Sequence, residues 1–326
     1  MSDLRRRIAI TGANGFVGRE VSRALLARGI AATGLVRRDA QCEPGVDVRH
    51  IDGLDAIAPD AFAGCDAVIH LAARVHVMSD TAGHQSSEAL LNAYRAVNVD
   101  GTLAAADAAR RAGVTRFVLM SSIKALGESD PGRPFTEDDE RNPPDAYGVS
   151  KAEAEVQLLE FGSRTGLEVA VVRPPLVYGP GVRANFLAMM NAIARGMPLP
   201  LGAIDARRSL VSVANLASAT IECALNPAAA GRVFHVTDGY DPSVAELARK
   251  LGEQLGKSAR LVPVPAALLR GVARLAGKTA QIDRLTGSLR VDSRRIREAL
   301  GWQAPQSLDE GLAATAAWFR TARREG

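Results

Sequence analysis

Short apolar runs rich in β-branched residues recur along the first half of the chain, and each is followed by a longer stretch whose apolar positions return every three or four residues. Runs near 7–11, 31–36, 46–51, 67–71, 116–121 and 168–173 read as strands, and segments near 16–28, 86–112 and 147–164 as helices. The run Arg116-Phe117-Val118-Leu119-Met120 lacks polar alternation, which predicts a strand covered on both faces. Strands and helices in this alternation predict an α/β fold with a doubly wound parallel sheet. From Pro174 the periodicity changes. Pro and Gly cluster at 174–181 and 196–202, where excursions into a smaller lobe are expected, while the 211–225 helical pattern and Arg232-Val233-Phe234-His235-Val236 return to the main sheet. The expected division is therefore 1–174 with 211–238 for the main domain, and 175–210 with 239–326 for a discontinuous lobe. There is no internal repeat or low-complexity segment, and the arginines at 320–324 read as a solvated helix end.

Between the first strand and first helix lies Thr11-Gly12-Ala13-Asn14-Gly15-Phe16-Val17-Gly18. Gly12 suits a tight turn, Gly15 a close backbone approach to a pyrophosphate, and Gly18 a close contact between helix and strand. The helix amides would then face the phosphates. The spacing is G-x-x-G-x-x-G rather than G-x-G-x-x-G, and a Gly-rich turn alone also fits a purely structural role.

Tyr147 and Lys151 are one helical turn apart, on one face of a segment that follows Pro143-Pro144. An ammonium group beside a phenol favours phenolate, so the lysine is expected to bring the tyrosine towards the range of a general acid/base. Ser121-Ser122 ends the 116–121 strand, where ligands of open α/β sheets bind, so a serine there can meet the substrate oxygen that Tyr147 protonates. The second strand ends in Leu35-Val36-Arg37-Arg38-Asp39. Arginines here would receive the 2′-phosphate of NADP and an acid would bond the ribose of NAD, so Arg37 and Arg38 favour NADP(H) over NAD(H), while Asp39 leaves NAD(P) open.

Taken together, these segments resemble the extended short-chain dehydrogenase/reductases that act on nucleotide sugars. The likeness spans nearly the whole chain. Beyond the glycine turn, Tyr147 and Lys151, it includes His70-Leu71-Ala72-Ala73, Val97-Asn98-Val99-Asp100-Gly101-Thr102, Ser121-Ser122, Arg173-Pro174-Pro175-Leu176-Val177-Tyr178-Gly179-Pro180, Arg208-Ser209-Leu210-Val211-Ser212-Val213 and Leu300-Gly301-Trp302. The resemblance implies a Rossmann sheet with a smaller substrate lobe. It makes Ser122 the catalytic serine, Tyr147 the acid/base, and Lys151 the residue that binds the nicotinamide ribose and polarises the tyrosine. Gly12, Asn14, Gly15, Phe16, Val17 and Gly18 would cradle the dinucleotide. Asn98 would hold the active-site helix beside the cofactor, Leu71, Ala72 and Ala73 would pass the adenosine half, and Asp52 would meet the adenine. Pro174 to Val177 would flank the nicotinamide. Ser121, Ser122, Asn185 and Arg208 would contact substrate, with Arg208 forking onto the diphosphate. Phe186 fits either a ligand contact or the core, and Arg207 a solvated charge.

The wording Ser121-Ser122-Ile123-Lys124 with Gly127-Glu128 is most similar to bacterial enzymes of O-antigen sugar biosynthesis. The expected activity is hydride transfer at sugar C4, as reduction of a 4-keto-6-deoxy UDP-(N-acetyl)hexosamine or a dTDP-linked counterpart. A UDP-hexose 4-epimerase with bound NAD is the alternative, and a non-catalytic dinucleotide-binding sensor the second. Dehydration is set aside because Ile123-Lys124 stands where dehydratases carry Asp-Glu. Such relatives often pair as homodimers through the helices of 86–112 and Tyr147.

Composition narrows the partners. The chain has 326 residues, is 47% hydrophobic and carries a net charge of +4. Its basic residues are interspersed with acids, which favours small anionic ligands over nucleic acid. Cys42, Cys65 and Cys223 are odd in number and widely spaced, with neither a disulfide framework nor metal-ligand spacing. No apolar run reaches spanning length, so no membrane role is expected and the reading is cytoplasmic.

Overall fold

The computed structural model describes residues 6–37, 40–75, 87–275 and 279–325. Its strands are β1 (Arg7–Thr11), β2 (Ala31–Val36), β3 (Asp47–His50), β4 (Ala67–His70), β5 (Arg116–Met120), β6 (Glu168–Arg173), β7 (Leu176–Tyr178), β8 (Leu210–Ser212) and β9 (Arg232–His235). Seven of them form one parallel sheet in the order β3-β2-β1-β4-β5-β6-β9, and β7 pairs with β8 separately. The doubly wound Rossmann fold is thus present. Strand order reverses between β1 and β4, and the crevice above their carboxyl ends is the usual ligand position.

The helices are α1 (Phe16–Ala27), α2 (Ser87–Arg95), α3 (Gly101–Arg111), α4 (Ala146–Thr165), α5 (Ala184–Ala194), α6 (Val213–Leu225), α7 (Val244–Leu255), α8 (Ala266–Leu275), α9 (Thr279–Thr286), α10 (Arg294–Leu300) and α11 (Leu308–Glu325). Successive strand side chains point to opposite faces, so each strand feeds two cores. Ile8, Ile10, Val118 and Val172 pack with Val21 and Leu25 of α1 and Leu216 and Ile221 of α6. Ala9, Val68, Phe117, Leu119 and Val171 pack on the other face with Ala105 and Ala109 of α3 and Ala154 and Leu158 of α4.

A further apolar cluster joins Phe186 and Met190 of α5, Leu247 and Leu251 of α7 and Leu312 and Phe319 of α11 around Tyr178 and Leu210. Ile296, Leu300 and Trp302, although they belong to the 239–326 stretch, are buried in the core that holds Ile8 and Ile10. A strap at 287–292 runs between two loops. Its Leu289 exchanges backbone hydrogen bonds with Arg207 and Ser209, each 2.9 Å, and Phe135 bonds Arg290 and Asp292, each 2.8 Å.

The expected single helix over 86–112 is divided. A π-turn at Ala96–Asp100 separates α2 from α3 and carries buried Asn98. Such turns re-aim a side chain within a helix, and a 3.6-residue pattern does not reveal them.

Candidate active site

The glycine turn is shaped by contacts that admit no side chain. Gly12 has φ +71°, and a Cβ there would lie 3.0 Å from the Ala72 amide nitrogen, so β1 and β4 end against each other. At Gly18 a Cβ would lie 2.2 Å from the Gly12 carbonyl oxygen, which is what lets α1 seat directly on the turn. Gly15 occupies the N-cap of α1 with no capping side chain, and no acidic residue stands in the first turn. The amides of Phe16, Val17 and Gly18 lie in that turn, a polarity suited to an anion.

Below the turn, a hydrogen-bonded chain crosses from β1 to the π-turn. Thr11 Oγ1 accepts from the Leu71 and Ala72 amides, each at 3.2 Å, so its own proton goes to His70 Nδ1 at 2.9 Å. His70 Nε2 then donates to Thr102 Oγ1 at 3.2 Å, because the Thr102 hydroxyl donates to the Asn98 carbonyl at 2.7 Å. Burial, with the Lys151 charge nearby, pushes the His70 imidazole down to about 3, so it stays neutral in this chain. Asn98 continues the network upward. Its Oδ1 accepts from the Arg74 amide at 2.8 Å, while Nδ2 donates to the Arg74 carbonyl at 3.1 Å and to Ser150 Oγ at 2.9 Å. Ser150 Oγ in turn donates to the Tyr147 carbonyl at 2.8 Å. Asn98 therefore ties the segment after β4 to the first turn of α4.

Ser122, Tyr147 and Lys151 converge at the carboxyl end of β5. The Ser122 side chain caps a short 3-10 turn at Ile123–Ala125 and acts on the nearby Tyr147 phenol by favouring its phenolate. Asp145 caps α4 by accepting from the Gly148 amide at 2.7 Å. Lys151 is buried, and its ammonium donates to the Met120 carbonyl at 2.8 Å. Burial brings the Lys151 ammonium down to about 8, with Glu155 opposing. Burial pushes the Tyr147 phenol up to about 12, partly offset by the Ser122 hydroxyl. The expectation that Lys151 lowers the tyrosine does not hold in this structure. The ammonium is engaged with the strand end, and desolvation dominates the phenol.

A comparison with protein families matches residues 8–236 to the NAD dependent epimerase/dehydratase family. The chain belongs to that family. It is 40% identical to a "UDP-glucose 4-epimerase" of Vibrio cholerae, over 96% of this chain and 95% of that protein. It is 27% identical to the "GDP-6-deoxy-D-mannose reductase" of Pseudomonas aeruginosa, over 99% of this chain and 100% of that protein. Among solved structures, MoeE5 in complex with UDP-glucose and NAD matches with a TM-score of 0.76 and 27% identity, over 97% of this chain and 99% of that one.

Within this epimerase/dehydratase chain the remaining expected residues fall in different places. Pro174 is buried beside the serine segment, its carbonyl accepting from the Ile123 amide at 3.0 Å, and Val177 is half-buried on β7. Arg37 is exposed at the end of β2, and Asp52 is exposed just past β3. Arg38 lies outside the described residues. Asn185 is exposed on α5, and Arg208 is half-buried beside the 287–292 strap. Phe186 is core, stacked on Tyr178 at 5.5 Å. Arg207 is exposed and donates to the Asp241 carbonyl at 3.0 Å.

One expected contact needs correction. The Ser121 hydroxyl is buried and donates to Glu155, which is held by the fully buried Arg173, so it has no proton left for a substrate. Asn98, with its amide group committed to Arg74 and Ser150, holds the start of α4. Sequence reasoning also passed over Gly148, Asp145 and Lys124. The readable signal was the capping spacing of Asp145 three residues before Gly148, just after Pro143-Pro144.

Proposed function

We propose that this chain transfers a hydride at C4 of a UDP-hexose and works in the cytoplasm as a 4-epimerase that retains its dinucleotide through the cycle. The observation that carries the reading is the convergence of Ser122, Tyr147 and buried Lys151 at the carboxyl end of β5, in a fold whose glycine turn has no room for a Cβ at Gly12 or Gly18. The 40% identity to the Vibrio cholerae protein, over nearly the full length of both, supports epimerisation over other chemistry.

The residues fit a nicotinamide dinucleotide. The first turn of α1 presents amides without a competing acid, and Gly12 lets the β4 end close on the turn. Gly12 to Gly18 would hold the pyrophosphate, and Leu71 to Ala73 with Asp52 the adenosine side. Lys151, Pro174 and Val177 would hold the nicotinamide ribose and ring. When bound, that group accepts a hydride from C4 and returns it to the opposite face of the ketone. Tyr147 takes the proton of the C4 hydroxyl as the C4–H bond breaks, and gives a proton back to the same oxygen as the new C4–H bond forms. Ser122 hydrogen-bonds that oxygen and Tyr147 together. Parts of the 175–210 and 239–292 segments would frame the sugar nucleotide, with Arg208 meeting its diphosphate.

A second reading is favoured by Arg37, which stands exposed where an NADP 2′-phosphate is received. It is reduction of a 4-keto-6-deoxy UDP-N-acetylhexosamine in surface polysaccharide synthesis. One assay separates the two. Purified protein is given UDP-glucose or UDP-galactose, or their N-acetyl forms, without added cofactor, and separately the 4-keto sugar with NADPH or NADH. Interconversion without net oxidation establishes the epimerase, and stoichiometric loss of reduced-nicotinamide absorbance establishes the reductase.

A further inference from the structure

Lys124 lies two residues beyond Ser122 and is half-buried at the base of α4. Its ammonium bridges Asp145 Oδ2 and Glu128 Oε1, each at 2.6 Å. Asp145 uses its other oxygen to cap α4 at Gly148. The lysine's own amide bonds Ser122 Oγ at 3.2 Å, and its carbonyl is the atom against which Gly148 packs. One residue thus touches the serine, the helix cap and the helix backbone, on both sides of the Ser122–Tyr147 pair.

We propose that Lys124 is a positioning residue for the hydride-transfer reaction, seating the first turn of α4 against Ser122 and neutralising the carboxylate that Tyr147 would otherwise face. The proposal rests on the reading of Tyr147 as acid/base. The charged and titratable groups around that phenol come from several elements. On α4 and its cap these are Asp145 and, a turn further on, Lys151. The loop after β5 contributes Lys124 and Glu128. From α2 comes Tyr94, whose ring meets the Tyr147 ring edge-on at 6.0 Å and carries Arg74 stacked 5.4 Å from its centroid.

Of these groups, the Asp145 carboxylate is the anion that disfavours the phenolate. A cation clamped on Asp145 weakens that effect, so the lysine and the aspartate act on the phenol with opposite sign. The clamp costs little in exchange. Both side chains are partly exposed, so the pair by itself contributes little to stability.

The test is the pH dependence of kcat and of KM in the holoenzyme, for Lys124→Met, Lys124→Arg and Asp145→Asn. Asparagine keeps an oxygen for the Gly148 amide. Lys124→Met should move the tyrosine-dependent limb upward by about half to one pH unit, which is about a threefold to tenfold loss of kcat at fixed pH below the limb. KM should stay near wild type. Asp145→Asn should move the limb downward, and Lys124→Arg should restore it. If Lys124→Met lowers kcat equally at every pH, or leaves the profile unmoved, the proposal is overturned. Tyr147→Phe runs alongside as the control for the underlying reading. If that variant keeps turnover, the acid/base assignment itself falls and the lysine's role with it. If it is inactive and Lys124→Met shifts nothing, the lysine proposal alone fails.

Discussion

Gly148 packs so closely on Lys124 that a Cβ at position 148 would lie 2.5 Å from the Lys124 carbonyl oxygen and 3.0 Å from Cβ of Pro143. This contact sets how near the Tyr147 turn comes to Ser122. A methyl group at 148 must push the start of α4 outward, and misplacement by about 1 Å costs on the order of 100-fold in rate. Gly148→Ala should lower kcat by roughly 10- to 100-fold while dinucleotide affinity, measured by calorimetry, changes little. Unchanged kcat would show that the turn is free to shift without consequence.

The dinucleotide cradle has its own close contact. Gly18→Ala would place a methyl 2.2 Å from the Gly12 carbonyl and 2.8 Å from Ala13 Cα, and both neighbours are backbone. Overpacking of this kind costs about 1–3 kcal/mol. The variant should unfold at lower urea concentration and lose most of its dinucleotide affinity. Retention of wild-type affinity would separate the turn from cofactor binding.

Arg173 and Glu155 are both fully buried and joined at 2.6 Å, with Ser121 and Arg141 also bonded to the carboxylate. Removing Arg173 leaves the buried Glu155 carboxylate with only the more exposed Arg141 as its cation, so Arg173→Met should destabilise by about 3–5 kcal/mol. Urea unfolding measures it, and a loss below 1 kcal/mol would show that the buried pair does not hold the fold together.

His70 and His235 are buried neutral, each held down to about 3 mainly by burial. In the unfolded chain both take protons near pH 6.5, so below that value the unfolded state binds more protons and is favoured. The stability from their neutral burial is present above about 6.5 and is lost as pH falls towards 3. Between pH 7 and pH 5 the unfolding free energy should fall by roughly 2 kcal/mol for each histidine. A flat profile of urea midpoints over that range would contradict the neutral assignment.

The main sheet was legible because its strands are buried on both faces and read as unbroken apolar runs. β5 is the clearest, with all five residues buried. Period and capping also placed α1 and α4 to within a residue or two, at Phe16–Ala27 and Ala146–Thr165. The π-turn at Asn98 was not legible, since its cause is a set of bonds to Arg74 and Ser150, one 24 and the other 52 residues away. The same holds for Ser121, whose hydroxyl is claimed by Glu155 across 34 residues. Motif spacing identified Ser122, Tyr147 and Lys151 as one cluster. It did not show that Lys151 bonds the Met120 carbonyl or that burial raises the tyrosine, because desolvation depends on what the fold packs around a group.

The most direct test of the proposed chemistry is sugar conversion by Tyr147→Phe alongside wild type, with dinucleotide binding measured on the same samples. Removing only the phenolic oxygen should abolish C4 conversion of the UDP-sugar while dinucleotide affinity stays within about threefold of wild type. Conversion at the wild-type rate would show that another group moves the proton and that the Ser122–Tyr147 pair is not the reacting centre.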